Sequence, residues 1–194
     1  MIKEPFTPIR FYEDIIPNHE ECKSEYHKIV DKLKADGIMI KESGGPVGED
    51  DSLLTDYFKF KEESNIDAMK LWHPFCMKYL QSAIVDFMDN FEIKDLAFTG
   101  IWSQISKGLQ FHHPHAHAHG GLNWSFCWYI DVDPSEHKST VWYPPPPSDE
   151  MYQTELVPNK LVIWPSWVLH YQPPSNSNVD RCVISGNISE EGLD

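Results

Sequence analysis

The sequence predicts an α+β fold in which helices pack on one side of a β-sandwich or jelly roll. The first half carries apolar residues at helical spacing, whereas the second half carries short stretches rich in β-branched and aromatic residues. With 194 residues, 41% hydrophobic content and no internal repeat, the chain is most simply one domain, 1–194. We expect residues 1–93 to form mostly helical support and residues 94–194 to form the jelly-roll core.

Three helices are predicted in the first half. Asn18, with Glu21 three positions later, resembles a capping box and begins a helix that Gly37 ends. Apolar pairs four residues apart predict a short helix over 53–58. A longer helix is predicted over 74–90, because its first residue is a proline and proline suits the first helical turn.

The second half predicts a series of short strands bounded by Pro, Gly, Asn or Ser. The predicted strands are 96–106, 124–132, 139–143, 154–158, 160–165 and 181–188. The stretch "YPPPPSD" at 143–149 is predicted to be an extended connection, because proline cannot donate to a central strand ladder.

Charge and cysteine usage narrow the class of protein. The formal net charge of −14 argues against binding to nucleic acids or anionic membranes, which bind through basic surfaces. The four cysteines are widely spread and include no CxxC, which indicates free thiols in a reducing compartment. No signal peptide and no long apolar run is present, so we expect a soluble, cytoplasmic protein.

The histidine-rich stretch "QFHHPHAHAHGG" contains candidate metal ligands. On a strand, residues two apart share a face and lie about 6.6 Å apart, so two of their imidazoles can reach one ion. The pair is therefore either His115 with His117 or His117 with His119. His112 and His113 are expected to face solvent or to support the ligands from behind.

A third ligand and an anion-binding residue are predicted further along the chain. His170 ends the apolar segment "IWPSWVLH", and a polar turn separates it from a strand that contains Arg181. A hairpin over this turn would place Arg181 opposite His170, with their Cβ atoms about 5 Å apart. A buried guanidinium is costly without an anion, and its geometry suits a carboxylate.

In combination, these segments resemble the Fe(II)- and 2-oxoglutarate-dependent oxygenases, whose metal lies in a double-stranded β-helix. The likeness is to the bacterial and phage oxygenases whose metal motif is H-x-H rather than H-x-D. The matching segments are "FTPI", "IWSQISKGLQFHHPHAHAH", "WSFCWYI", "LVIWPSWVLH" and "DRCVISGN".

This resemblance implies a site. The implied iron ligands are His117, His119 and His170. The implied contacts to the distal carboxylate of 2-oxoglutarate are Arg181, Ser185 and Tyr129. If His119 points away, His115 or a water completes the ligand set. Three neutral imidazoles leave the iron with one more positive charge than two histidines and a carboxylate, which should strengthen binding of the dianionic co-substrate.

Four residues depart from the family pattern, and each bears on the size of the pocket. Gln104, Phe126, Trp128 and Trp164 stand where asparagine, glycine, tyrosine and phenylalanine are usual. Bulkier side chains at these positions are expected to narrow the pocket, and so to affect which substrate fits.

The activity implied is oxidation of a C–H bond of a peptide, protein or small molecule by O₂, with release of succinate and CO₂. Two alternatives remain at this stage. One is a cupin-like metalloenzyme that uses three histidines without 2-oxoglutarate, and the other is a non-catalytic metal-binding jelly roll. Neither alternative needs an inward-facing Arg181.

Overall fold

A computed structural model describes residues 1–6, 9–43, 52–56, 66–117, 123–145 and 150–190. Its helices are α1, His19–Ala35, and α2, Ile66–Phe91. Its first strands are β1, Ile2–Phe6; β2, Ile9–Ile15; β3, Ile40–Ser43; β4, Ser52–Thr55; β5, Leu96–Gly108; and β6, His112–His115. The remaining strands are β7, Asn123–Asp131; β8, Val141–Trp142; β9, Tyr152–Gln153; β10, Lys160–Pro165; β11, His170–Gln172; and β12, Ser177–Glu190.

Two antiparallel sheets face each other. The larger sheet has the order β1-β2-β10-β7-β12-β5-β4-β3, and the smaller has the order β6-β11-β8-β9. One hydrophobic cluster lies between the helices and the outer face of the larger sheet, and a second lies between the two sheets. The predicted fold class, a double-stranded β-helix with helices on one sheet, is confirmed. Of the described helices, neither combines the length and apolarity that crossing a membrane requires.

Strand β7 shows how alternation separates the two clusters. Phe126 and Trp128 contribute to the helix-side core, whereas Cys127 and Tyr129 contribute to the space between the sheets. This follows from the strand period of two, which sends successive side chains to opposite faces. Trp128 therefore packs under the helices, whereas Phe126 belongs to the helix-side core and also borders the cavity between the sheets.

The first helix begins after Asn18 and ends before Gly37, as predicted, but its start is not a capping box. Gly37 has φ +68°, in the left-handed region that favours glycine after a helix. Asn18 also has a left-handed backbone, with φ 61°, and its side chain makes no capping hydrogen bond. Glu21 instead accepts hydrogen bonds from Lys78 and Tyr79 of α2. The predicted capping box is therefore wrong.

Two predicted helices differ in the structure. The second helix begins at Ile66 rather than at Pro74, which lies inside it. Residues 52–55 form strand β4, so the short helix predicted over 53–58 is wrong, and residues 57–58 lie outside the described residues. β4 pairs with β5 through Leu54 and Ile105, and this ladder prevails over the local helical spacing.

Strand predictions in the second half agree closely where the strands are long. β10 coincides with the predicted 160–165, and β5, β7 and β12 contain most of their predicted residues. The predicted strand at 154–158 is wrong, because the strand observed there is β9 at Tyr152–Gln153. Within the proline-rich connection, 143–145 lie outside strands and 146–149 lie outside the described residues.

Gly186 makes room for the Phe126 ring. A Cβ on Gly186 would collide with the ring and with the carbonyl oxygen of Gly100. We expect Gly186→Ala to lower the free energy of unfolding by at least about 1–3 kcal/mol, the usual cost of overpacking, as measured by urea unfolding. Ser189→Ala, at a half-exposed position of the same strand, should change it by less than about 0.5 kcal/mol. Equal unfolding midpoints for the two variants would contradict this account.

Candidate metal centre

Three histidines converge at one end of the smaller sheet. His115 closes β6 and pairs across the ladder with His170, which opens β11. His117 follows β6, and its backbone N–H donates to the Ser166 carbonyl at 2.8 Å. One ring nitrogen from each of the three lies within 4.8 Å of the others. This is close to what one ion needs, because two nitrogens at about 2.1 Å from it are at most about 4.2 Å apart.

The structure thus brings His117 and His170 together with His115. His119, which the resemblance implied as a ligand, lies outside the described residues. Within the described residues, the H-x-H pair that meets His170 is 115 with 117.

Hydrogen bonds orient all three rings in the same way. In each ring, Nδ1 lies near an oxygen that only accepts: 2.7 Å from His113 O for His115, 2.8 Å from Asn187 Oδ1 for His117, and 2.9 Å from Val168 O for His170. Each Nδ1 therefore carries the ring proton, and each Nε2 keeps its lone pair for a metal.

Burial keeps two of the three imidazoles neutral. Desolvation, followed by the neighbouring His115, holds the pKa of His170 well below its usual value. Desolvation also lowers the pKa of His115. Both rings are therefore uncharged at neutral pH, which is the state that binds a metal.

The two remaining histidines of the run differ from each other. His113 is exposed, which agrees with the first of its two predicted positions, facing solvent or supporting the ligands. His112 lines the same cavity as the three candidate ligands, with its ring centroid 4.2 Å from that of His115. Desolvation lowers its pKa to about 3, so it adds another neutral imidazole to the cavity wall.

Arg181 reaches this cavity by a route that differs from the predicted hairpin. β11 pairs with β6 and β8 in the smaller sheet, whereas β12 pairs with β5 and β7 in the larger one. The predicted cross-strand pairing of His170 with Arg181 is therefore wrong. The intervening segment, which contains two prolines and Asn176 at φ 56°, carries the chain from one sheet to the other. His170 and Arg181 nevertheless line one cavity, because both face the space between the sheets.

The guanidinium of Arg181 is held on three sides by neutral groups. Its Nη1 donates to Gln172 Oε1 at 2.8 Å, and its Nε donates to the Lys138 carbonyl at 3.1 Å. Its Cζ lies 5.3 Å from the centroid of the Tyr129 ring. The residue is only 1% exposed, and no carboxylate of the described residues forms an ion pair with it. A buried cation therefore faces the cavity with no counter-charge from the part of the chain that the structure describes.

The two other residues implied for the co-substrate differ in what they offer. Ser185 lines the cavity on the same strand as Arg181. The Tyr129 hydroxyl is already engaged, donating to Thr140 Oγ1 and accepting from the Thr140 N–H, both at 3.0 Å. Because Thr140 lines the cavity, it presents a hydroxyl there that Tyr129 holds in place.

Three residues of the site were not assigned from the sequence. Asn187 belongs to the motif "DRCVISGN", so the motif itself could have indicated it. Gln172 lies two residues after His170 on the same strand, and its Nε2 donates to Ser106 Oγ at 2.7 Å. Thr140 carries no sequence signal, because its position depends on Tyr129 from a separate strand.

A second group of potential ligands has a simpler explanation. His27, Asp131 and Cys182 also lie within 4.8 Å of one another. Asp131, however, is already 2.8 Å from His27 Nε2 and 2.7 Å from the Lys23 ammonium. The lysine supplies the positive charge that a metal would otherwise supply.

Comparison with solved structures finds proteins with a similar fold. No protein-family model and no curated protein matches the sequence. A prolyl hydroxylase from Trichoplax adhaerens, solved with a hypoxia-inducible factor peptide fragment, is 14% identical with a TM-score of 0.60, covering 93% of this chain and 84% of its own. A Pseudomonas putida prolyl-4-hydroxylase is 11% identical with a TM-score of 0.55, covering 95% of both chains.

A third similar structure is an enzyme of nogalamycin biosynthesis. The non-heme α-ketoglutarate-dependent epimerase SnoN from nogalamycin biosynthesis is 13% identical with a TM-score of 0.64, covering 93% of this chain and 77% of its own. These likenesses extend along nearly the whole chain, and they show that this protein shares the fold of these enzymes.

Proposed function

We propose that this protein is an Fe(II)- and 2-oxoglutarate-dependent dioxygenase. The observation that carries the proposal is the buried guanidinium of Arg181, which faces a cavity shared with three imidazoles and has no carboxylate partner among the described residues. Such a cation costs several kcal/mol unless an anion meets it. A dicarboxylate that chelates a metal at the histidines and reaches Arg181 with its far end supplies that anion.

The donor set fits Fe(II). His115, His117 and His170 would hold the metal through Nε2. Bound Fe(II) with 2-oxoglutarate and O₂ would supply the oxidation of a substrate C–H bond, with release of succinate and CO₂. Among the described residues this ligand set contains no carboxylate, so an ion held there would keep its full charge and attract the dianionic co-substrate more strongly.

The other residues of the site would bind the co-substrate and exclude water. Arg181 pairs with the distal carboxylate, and Thr140 and Ser185 offer it hydroxyl groups. Gln172 holds the guanidinium in place from the side. The apolar wall of the cavity, which includes Trp102, Trp164 and Val183, keeps the reaction away from bulk water.

The arginine also separates this proposal from the two alternatives. A cupin-like enzyme that binds its substrate directly at three histidines has no need of a keto-acid anchor. A metal-binding module gains nothing from an uncompensated buried cation. Arg181 and its neutral neighbours therefore favour the 2-oxoglutarate enzyme.

An anaerobic titration tests the proposal. Adding 2-oxoglutarate to the Fe(II)-loaded protein should produce the visible charge-transfer band of a chelated keto acid, and admitting O₂ should yield succinate. Glutarate, which has both carboxylates but no keto group, is the matched control and should give no band. A protein that holds Fe(II) but gives no band with 2-oxoglutarate would contradict the proposal.

The finer proposal is that the enzyme hydroxylates a peptide, protein or small molecule. Two of the similar structures are prolyl hydroxylases, one of them solved with a peptide. The net charge of −14 disfavours nucleic-acid substrates, which bind through basic surfaces. Mass spectrometry should show that the product is heavier than the substrate by one oxygen atom. A product with the same mass as the substrate would contradict hydroxylation.

A further inference from the structure

One of the three candidate metal ligands is held differently from the other two. His115 and His170 lie on strands of the smaller sheet, and the Nδ1 of each lies within hydrogen-bond distance of a carbonyl oxygen two residues earlier in the chain. His117 follows the end of β6, and its Nδ1 lies 2.8 Å from Oδ1 of Asn187, which belongs to β12 of the larger sheet. The orientation of the His117 ring therefore depends on the sheet that faces it.

A second residue of the larger sheet contacts the same ring. The indole of Trp102, on β5, stacks on the His117 imidazole, with the ring centroids 5.8 Å apart and the planes inclined by 20°. Trp102 is only 5% exposed and lines the metal cavity. The hydrogen bond to Asn187 fixes the direction of one ring nitrogen but lets the ring turn about that bond. A flat neighbour on the ring face opposes this turn.

The strand ladder of the larger sheet sets both contacts. Trp102 pairs with Ser185 across β5 and β12, and Ser185 stands two residues before Asn187. Residues two apart on a strand share a face, so all three side chains point toward the smaller sheet. Any large apolar side chain could fill the space that Trp102 occupies. The feature that packing alone does not require is an aromatic face nearly parallel to the ring of a candidate ligand.

We propose that Trp102 is a positioning residue of the metal centre, which raises metal affinity by holding the plane of the His117 ring. The metal then joins two ligands oriented by the smaller sheet to one ligand oriented by the larger sheet. This inference rests on the metal centre of the proposed function and does not depend on which co-substrate binds there.

Zn(II) affinity, measured by competition with a chromophoric chelator, tests the proposal. Trp102→Leu keeps the position apolar but removes the flat face, so it should weaken Zn(II) binding about 10-fold or more, as loss of a group that orients a ligand does. Trp102→Phe keeps an aromatic face and should retain most of the affinity. Phe11→Leu is the matched control, because Phe11 is a fully buried aromatic residue of the same core that packs against Trp142 and Tyr152. It should bind Zn(II) as the wild type does.

A double-mutant cycle shows whether Trp102 acts through His117. In a His117→Ala background the indole has no ligand left to orient, so Trp102→Leu should cause no further loss of Zn(II) affinity. An equal loss with and without His117 would overturn the proposal, since it would reveal a general effect on packing. A Trp102→Leu variant that binds Zn(II) as tightly as the wild type would overturn it as well.

NMR of the wild type decides the question if Trp102→Leu does not fold. In the metal-free protein, the His117 ring signals are identified by their disappearance in His117→Ala. Their protons should show nuclear Overhauser effects to an indole ring and should lie upfield of the His115 ring protons, because the face of an aromatic ring shields the protons above it. His117 ring protons without such an effect to an indole would overturn the proposal.

The two proposals fail in different ways. A normal charge-transfer band in the wild type, together with unaltered Zn(II) affinity in Trp102→Leu, would remove only the positioning role of the tryptophan. Absence of the band, together with the expected result of the double-mutant cycle, would remove the 2-oxoglutarate chemistry and leave the metal centre with its stacked indole.

Discussion

Replacing His115 by alanine is expected to lower metal affinity at least about 100-fold and to abolish 2-oxoglutarate-dependent succinate formation. Even residues that only orient a ligand typically contribute 10- to 100-fold to metal affinity, so loss of a ligand should cost more. The expectation follows from the pairing of His115 with His170 and from the Nδ1 contact that leaves its Nε2 available. Fe(II) or Zn(II) affinity measured by calorimetry checks it.

His119→Ala is the matched control, because His119 also stands two residues from His117. We expect it to bind metal as the wild type does. A variant set in which His119→Ala loses the metal and His115→Ala keeps it would show that the ligand pair is 117 with 119.

Replacing Asn187 should cause a smaller loss of metal affinity than replacing His115, in the same calorimetric measurement. Its Oδ1 accepts from His117 Nδ1 at 2.8 Å and lies 3.0 Å from the Ser125 hydroxyl. Asn187→Leu removes this acceptor, so it should weaken metal binding by about 10- to 100-fold and not eliminate it.

Replacing Arg181 by alanine is expected to weaken 2-oxoglutarate binding by roughly 100-fold or more, with metal affinity unchanged. Charge-assisted hydrogen bonds are worth about 1.5–3 kcal/mol each, and a guanidinium offers two to a carboxylate. Titration of the charge-transfer band measures the change. Unaltered 2-oxoglutarate affinity in Arg181→Ala with metal bound would contradict the assigned role.

Gln172→Glu tests the same arginine without removing it. The variant places a carboxylate where Gln172 Oε1 now accepts from Arg181 Nη1 at 2.8 Å. This internal anion should pair with the guanidinium and compete with the co-substrate, so 2-oxoglutarate affinity should fall while the fold is retained. Gln172→Met, which fills a similar volume without charge, should have the smaller effect, and the reverse order would contradict the account.

The sequence predicted those features that depend on local pattern. Stretches rich in β-branched and aromatic residues predicted strands such as β10 and β7, and the change from helical spacing to such short stretches predicted the fold class. The segment 52–55 was misassigned because its two leucines also fit a helical repeat, and only its pairing with β5 decides the outcome. Long-range pairing of this kind leaves no trace in the spacing of one segment.

The site was predictable to the same degree. His117, His170 and Arg181 line one cavity, as the sequence pattern indicated, but Arg181 does so from the other sheet. The sequence alone does not decide which two histidines of the run bind the metal. His115 with His117 and His117 with His119 are both two residues apart, so either pair could share a face of the strand. Which pair meets His170 depends on where β6 pairs with β11.

The anchoring of two candidate ligands by their own backbone has a consequence for how the proposed site would take up a metal. His115 and His170 each lie within hydrogen-bond distance of a carbonyl two residues earlier in the chain, so both rings are set by their own strand segments. Binding of an ion would then need little reorientation of these two rings. Removing the metal with a chelator should leave a folded protein that can bind metal again. Metal binding should raise the melting temperature only through mass action.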